Sequence, residues 1–497
     1  MDIADRWSPF LLEGEKIITK FDGIRLRNTN EDGFLLVTNF QFLFMSKETK
    51  SKLGTIPLTT VEQIKEQDVR SFEIIGYDMR MLVFDLKSEQ KQELSKMVEY
   101  LTRCAKPSRL VDLFAFALNS TPPAVANRTS PIPRTISDEE LQEMSTSRAL
   151  NRFPVISWCD FASGAVLARS SQHMGIKNLK NRYEDEKLVS ALCTPGIHRT
   201  DLIRKLYIVD ARPGVSDVGN GRGSESVCSY PKSEVVYLGI EDIYEMRASF
   251  SSLRKYVDTY GSISSNRPPS AGSVIGDLVN HGLAWGGGII NSMTIFSIRE
   301  EWLNHIHIIL IGGSWIAEKI AHESASVLVH CSDGWDRTTQ LVGLAALLLD
   351  PYYRTFTGFQ ALVEKDWLAF GHQFADRMGL PTIAIGGWPA NPSVKSQPSD
   401  NKTSPVLLQW LECIAQLLRM YPSAFEFSTV FLVDFIDAVL SCRFGNFLCN
   451  SEWEREQAEV ESSCPCIWKY LADLRASGGI FHEHRNPLYK PSKIMTK

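Results

Sequence analysis

Residues 327–350, VLVHCSDGWDRTTQLVGLAALLLD, constrain what this chain can fold into more than any other stretch. An apolar, β-branched run ends at His330 and Cys331, and a short loop then carries Asp333, Asp336 and Arg337. Apolar residues return at helical spacing, with Leu341, Leu344, Ala345 and Leu348 on one face. This reads as a strand, a tight loop and a helix beginning near Thr339. Such a junction cradles anions, because loop amides and the first free N–H groups of the helix converge on one point. A cysteine thiolate is stabilised in those surroundings. Arg337 can fold back over the loop, and its planar fork suits bidentate contact with phosphate oxygens. Nucleophile, clamp and dipole aimed at one anion are the parts of phosphate-ester hydrolysis through a phosphocysteine intermediate. The competing reading of Cys331 is a buried thiol at a strand end.

Spacing alone is weak evidence, because CTPGIHRT (193–200) repeats the Cys-x5-Arg pattern. No β-branched strand leads into Cys193, and Pro195 removes an amide that a cradle would use, so Cys193 is read as accidental. The reaction also needs a general acid for the departing alkoxide. Protein tyrosine phosphatases take it from a separate Trp-Pro-Asp loop, and the comparable GWPANP run (387–392) has Ala390 where the acid belongs. Asp333 and Asp336 place candidate acids inside the cradle itself. The alternative is that one of them orients Arg337 or caps the following helix.

At 497 residues, with 44% hydrophobic and 22% charged residues, the chain has the composition of a globular protein of about two domains. A net charge of −5 gives no global attraction to nucleic acid, so anion recognition must be local. Ten irregularly spaced cysteines and no N-terminal signal sequence point to free thiols in a reducing compartment. Cys442, Cys449, Cys464 and Cys466 do not match the usual zinc spacings. The apolar runs are too short to span a bilayer, so any membrane contact is expected to be peripheral.

Residues 10–105 read as a β-rich unit closed by a helix, with a hairpin near Gly76 and Asp78 and a helical face of Leu94, Met97, Val98 and Leu101. A Pro-, Ser- and Thr-rich run at 119–135 marks an exposed linker. The expected division is 1–118, a linker at 119–140, and 141–497. Beyond the linker, strand-like KLYIVDA, EVVYLGI and ASVLVHC interleave with helical runs, as in an α/β domain with a central sheet. Two low-complexity stretches, 261–288 and 383–405, are expected to be surface loops.

The residues of HCSDGWDRTTQL, with the following LLLDPYYRTFTGFQALVEKDWLAFGHQFADR, resemble the active site of the myotubularins, phosphatases that remove the 3-phosphate of phosphoinositides. The likeness extends to RFPVISW (152–158), YIVDARPG (207–214), IYEMRAS (243–249), PVLLQWLECIAQLLRMYPSAFEF (405–427) and SCRFGNFLCNSEWER (441–455), and is nearest to plant members. LLEGEKI and GFLLVTNFQFLF are similar to the family's PH-like GRAM domain. The resemblance implies an α+β GRAM domain followed by an α/β cysteine-dependent phosphatase. It implies Cys331 as nucleophile, Arg337 as clamp and Asp336 as acid, with Ser332, Asp333, Gly334, Trp335, Asn220, Asp242 and Arg377 contacting substrate. It requires no cofactor and no metal.

Two departures stand out: Asp242 replaces a frequent asparagine, and Gln373 stands where some relatives carry a second arginine. The C-terminal end looks shortened, without the coiled coil or zinc finger of some relatives. The implied partners are phosphoinositide headgroups on endosomal or other endomembranes, for a cytoplasmic, peripherally bound protein, with homo- or hetero-oligomers left open. Two rival functions remain at this level. A protein tyrosine phosphatase is disfavoured by the missing acid loop and the paired aspartates, and a silent lipid-binding adaptor by the presence of both Cys331 and Arg337.

Overall fold

A computed structural model describes residues 10–87, 91–107, 109–117, 136–174, 179–193, 204–214, 233–263, 287–382, 402–476 and 483–491. The linker run, GWPANP, Asn220 and most of the 261–288 and 383–405 stretches lie outside the described residues. The chain divides into two compact units: Met1–Val125 with Gln373–Asp400 and Val430–His484, and Ala126–His372 with Asn401–Thr429 and Arg485–Lys497.

The first unit holds a seven-stranded antiparallel sheet: β1 (Ile17–Leu26), β2 (Glu31–Thr38), β3 (Gln41–Ser46), β4 (Lys52–Pro57), β5 (Val61–Glu66), β6 (Ser71–Gly76) and β7 (Met81–Leu86). Their order is β4-β3-β2-β1-β7-β6-β5. Side-chain alternation sorts β2 and β3 onto two faces. Leu35, Val37, Phe42 and Phe44 join the core under helix α1 (Lys91–Ala105), while Phe34, Leu36, Leu43 and Met45 pack with Phe10, Leu11 and Ile17 on the other side. The face expected for α1 is the one that packs: Leu94, Met97 and Leu101 are buried, with Val98 against the same core. The expected hairpin is β6–β7, closed by Gly76 N donating to Arg80 O at 2.8 Å.

This unit also takes in C-terminal segments that a division in sequence order assigns elsewhere. Thr59 Oγ1 donates to Leu440 O at 3.2 Å, Arg80 pairs with Asp437 at 2.9 Å, and Leu110 and Leu113 pack with Cys442, Leu448 and Cys449. Apolar faces on residues hundreds of positions apart are buried together here, a pairing that no local pattern announces.

In the second unit helix α2 spans Asp138–Ser145, so its first turn lies within the stretch expected to be linker. Ser137 caps it in a capping box, with Oγ accepting from Glu140 N and the Glu140 carboxylate accepting from Ser137 N. Strands β8 (Val155–Cys159), β9 (Val166–Arg169), β10 (Leu206–Asp210), β11 (Ser233–Tyr237) and β12 (Ser326–His330) form a sheet of order β11-β10-β12-β9-β8. All neighbours are parallel except the β8–β9 pair.

Strands β9, β10 and β12 are buried throughout, which explains their near-continuous apolar sequence. Helix α3 (Leu179–Cys193) covers one face through Val189 and Leu192. Helices α4 (Ile243–Ile263), α5 (Gly287–Glu323) and α6 (Arg337–Leu349) follow in sequence. The α5–α6 crossing is close because Gly312 and Gly313 present no Cβ to Leu341 and Leu344. With β12 paired on both sides, its carboxyl end opens at the middle of the sheet, where open α/β folds place ligands. Among the described residues, no helix is long and apolar enough to cross a membrane.

Candidate active site

Cys331 directly follows β12 and is 2% exposed. The chain turns at once, and Gly334 N donates to its Sγ at 3.3 Å. Gly334 has φ +81°, and a Cβ there would lie 2.4 Å from Ser170 O. Only glycine suits that backbone and that approach. Gly334→Ala is therefore expected to destabilise the chain by about 2 kcal/mol or more and to depress turnover. An unchanged melting temperature, measured by circular dichroism, would show that the loop shifts freely.

The loop is held from behind. Gln172 N donates to Ser332 O at 3.0 Å, and Arg152 Nε to Asp333 O at 2.9 Å. Arg169 Nη2 donates to Gly334 O at 2.7 Å, and Trp335 O accepts from Thr339 Oγ1 at 2.8 Å and from His372 Nδ1 at 2.9 Å. Four successive carbonyls are thus turned outward, and in a trans peptide the N–H points opposite to the C=O. The amides of residues 333–336 consequently face away from these donors, toward the cradle side.

Arg169 ends the apolar strand β9 at 1% exposure, where its Nη1 donates to Asp366 O at 2.7 Å and pairs with Asp366 Oδ1 at 3.1 Å. Burial pushes Arg169 down despite Asp366. Burial also works against the Asp366 carboxylate, but Lys365 and Arg169 hold it below the usual range. Arg152 lies 5.1 Å over the Trp335 ring and 4.3 Å over Phe370, and burial brings it down to about 10, so it stays cationic at neutral pH. Arg152 leaves a cation behind the loop, which favours an anion in front of it. His330 is pushed down by burial, and its Nδ1 lies 3.2 Å from Cys331 O.

Helix α6 begins at Arg337, two residues earlier than the spacing indicated, because the loop closes in five residues. Asp336 takes its N-cap position with no side-chain cap bond. It is 7% exposed, and its Oδ1 lies 3.1 Å from His372 Nδ1. The capping alternative for this aspartate is therefore not what the structure has. Arg337, the first residue of α6, donates from Nη1 to Ile240 O at 3.2 Å, in the segment after β11. Ser332 and Asp333 follow the cysteine, with Ser332 Oγ and Asp333 Oδ2 3.5 Å apart, and Trp335 is half-buried.

Cys331 to Arg337 share this one loop and the first residue of α6, and the other described candidates lie on other elements. Asp242 is exposed and caps α4, accepting from Tyr244 N at 2.8 Å and Glu245 N at 3.1 Å. Arg377 lies on Phe374–Met378 of the first unit, where Gln373 Nε2 donates to Asn450 O at 3.2 Å. Cys193 ends helix α3 rather than a strand, the context that separates it from Cys331. Sequence reasoning missed Arg152, Arg169, Asp366 and His372. One signal was available: an arginine closing the apolar VLAR strand needs a buried partner.

The profile of the Myotubularin-like phosphatase domain matches residues 117–456. The chain is 44% identical to phosphatidylinositol-3-phosphatase myotubularin-2 of Arabidopsis thaliana, over 97% of this chain and 69% of that protein. Against myotubularin-1 of the same plant the identity is 43%, with the same coverage. Phosphatidylinositol-3,5-bisphosphate 3-phosphatase MTMR2 of Bos taurus is 32% identical, over 98% of this chain and 76% of that protein. A cysteine cradle on the carboxyl end of a central strand and a profile covering most of the chain agree: this chain belongs to the myotubularin-like phosphatases.

Proposed function

We propose that the chain removes the 3-phosphate of phosphatidylinositol 3-phosphate, with phosphatidylinositol 3,5-bisphosphate as a second substrate. The observation that carries this reading is the Gly334 amide on Cys331 Sγ, in a loop whose four carbonyls are tied outward. Inward amides stabilise a thiolate and then the equatorial oxygens of a phosphoryl group. Cys331 attacks phosphorus, Arg337 pairs with the phosphoryl oxygens, and Asp336 gives its proton to the leaving inositol oxygen. Water then hydrolyses the phosphocysteine. The relatives' names supply the lipid. Within this reading Ser332, Asp333, Gly334 and Trp335 bound the phosphate, and Asn220, Asp242 and Arg377 keep the headgroup contacts implied by the family likeness.

Residues 1–118 are assigned as a PH-like GRAM domain and 141–497 as the phosphatase domain. Phosphoinositides on endomembranes are the partners, reached by peripheral association. The test is phosphate release from a panel of short-chain phosphoinositides and a phosphotyrosine peptide, with wild type and Cys331→Ser compared. Cysteine-dependent release from the two 3-phosphorylated lipids is expected. Preference for the peptide would make the chain a tyrosine phosphatase, and lipid binding without release would make it an adaptor.

A further inference from the structure

We propose that His372 is a positioning residue for the reaction: through one N–H it fixes the carboxyl of Asp336 against the cradle and stabilises the negative charge left on that carboxyl after proton transfer. The inference rests on the assignment of Asp336 as the acid. His372 is 1% exposed and stands edge-on to Trp367, at 4.8 Å between ring centres and 78° between planes. This packing fixes the direction of its ring nitrogens. Nδ1 meets two acceptors at once, Trp335 O at 2.9 Å and Asp336 Oδ1 at 3.1 Å. A backbone carbonyl can only accept, so the hydrogen belongs on Nδ1.

The Trp335 carbonyl already accepts from Thr339 Oγ1 at 2.8 Å, so that carbonyl alone does not call for a histidine. What histidine adds beside that carbonyl is a ring nitrogen 3.1 Å from the acid, so that its one N–H is shared between Trp335 O and Asp336 Oδ1. With Oδ1 accepting from Nδ1–H, the acidic hydrogen sits on Oδ2. As the S–P bond forms and the P–O bond to inositol breaks, that hydrogen moves to the inositol oxygen. The resulting carboxylate keeps the Nδ1–H bond, which is stronger to an anion than to a neutral acid. In the second step the same carboxylate takes a proton from the water whose oxygen bonds phosphorus as the P–S bond breaks, and the acid is restored.

Two near-isosteric variants test this. An asparagine amide reaches the place of Nδ1, whereas a glutamine amide reaches that of Nε2. His372→Gln is expected to slow phosphoinositide hydrolysis by roughly 10- to 100-fold, the rate equivalent of one charge-assisted hydrogen bond. Its loss on para-nitrophenyl phosphate, whose leaving group needs little protonation, should be much smaller. His372→Asn is expected to recover most of the loss, and His372→Gln should add nothing to Asp336→Asn. Equal losses on both substrates, or indistinguishable Asn and Gln variants, would overturn the role of His372 while leaving the acid in place. If Asp336→Asn itself shows no dependence on the leaving group, the acid assignment and this inference both fall.

Discussion

Cys331→Ser is expected to reduce phosphoinositide turnover by roughly 10⁴-fold or more, the scale on which enzymes lose activity with their nucleophile. The hydroxyl is nearly isosteric with the thiol, so the buried site should still close around it and the melting temperature should move little. What is lost is the sulfur nucleophile. Gly334 N–H donates to Cys331 Sγ, and sulfur is intrinsically the far stronger nucleophile, whereas a serine hydroxyl is weak without an adjacent base. Headgroup binding should persist, because Arg337 and the loop amides are untouched. Cys193→Ser, at the end of helix α3, is the matched control and should leave the rate unchanged. Turnover near wild type in Cys331→Ser, or an equal loss in Cys193→Ser, would remove Cys331 from the chemistry.

The loop was legible because its information is local. Strand, cysteine, glycine turn, arginine and helix are consecutive, and each step is set by neighbours within a few residues. The same holds for Leu94, Met97 and Leu101 on α1, and for the Ser137–Glu140 capping box, although the linker expected at 119–140 covers that box. The supports of the loop were not legible, because they arrive from far along the chain. Arg152 reaches Asp333 O across 181 positions and Arg169 reaches Gly334 O across 165. A buried arginine differs from an exposed one only through a partner that sequence order does not name. Grouping of the Val430–His484 segment with the N-terminal sheet escaped for the same reason: helices there have buried faces, but nothing local says what buries them.

Asp336→Asn should slow phosphoinositide hydrolysis by roughly 10²- to 10⁴-fold, the usual range for removal of a general acid. In the proposed mechanism the acid comes from the cradle itself: this carboxyl is 7% exposed, sits at the mouth of α6 and makes no cap bond to the helix. Asparagine keeps its shape and can still accept from His372 Nδ1, but it has no hydrogen that an inositol oxygen could keep. The loss should therefore follow the leaving group: large on the lipid, whose alkoxide is a poor leaving group, and small on para-nitrophenyl phosphate. Asp333→Asn separates the two aspartates. Its backbone carbonyl is the part that Arg152 holds, and its half-buried side chain lies beside Ser332 Oγ, so its effect should be similar on both substrates. Steady-state rates for the two variants on the two substrates decide the assignment. Lipid hydrolysis at the wild-type rate in Asp336→Asn, or leaving-group dependence in Asp333→Asn alone, would move the acid from residue 336 to residue 333 or out of the loop.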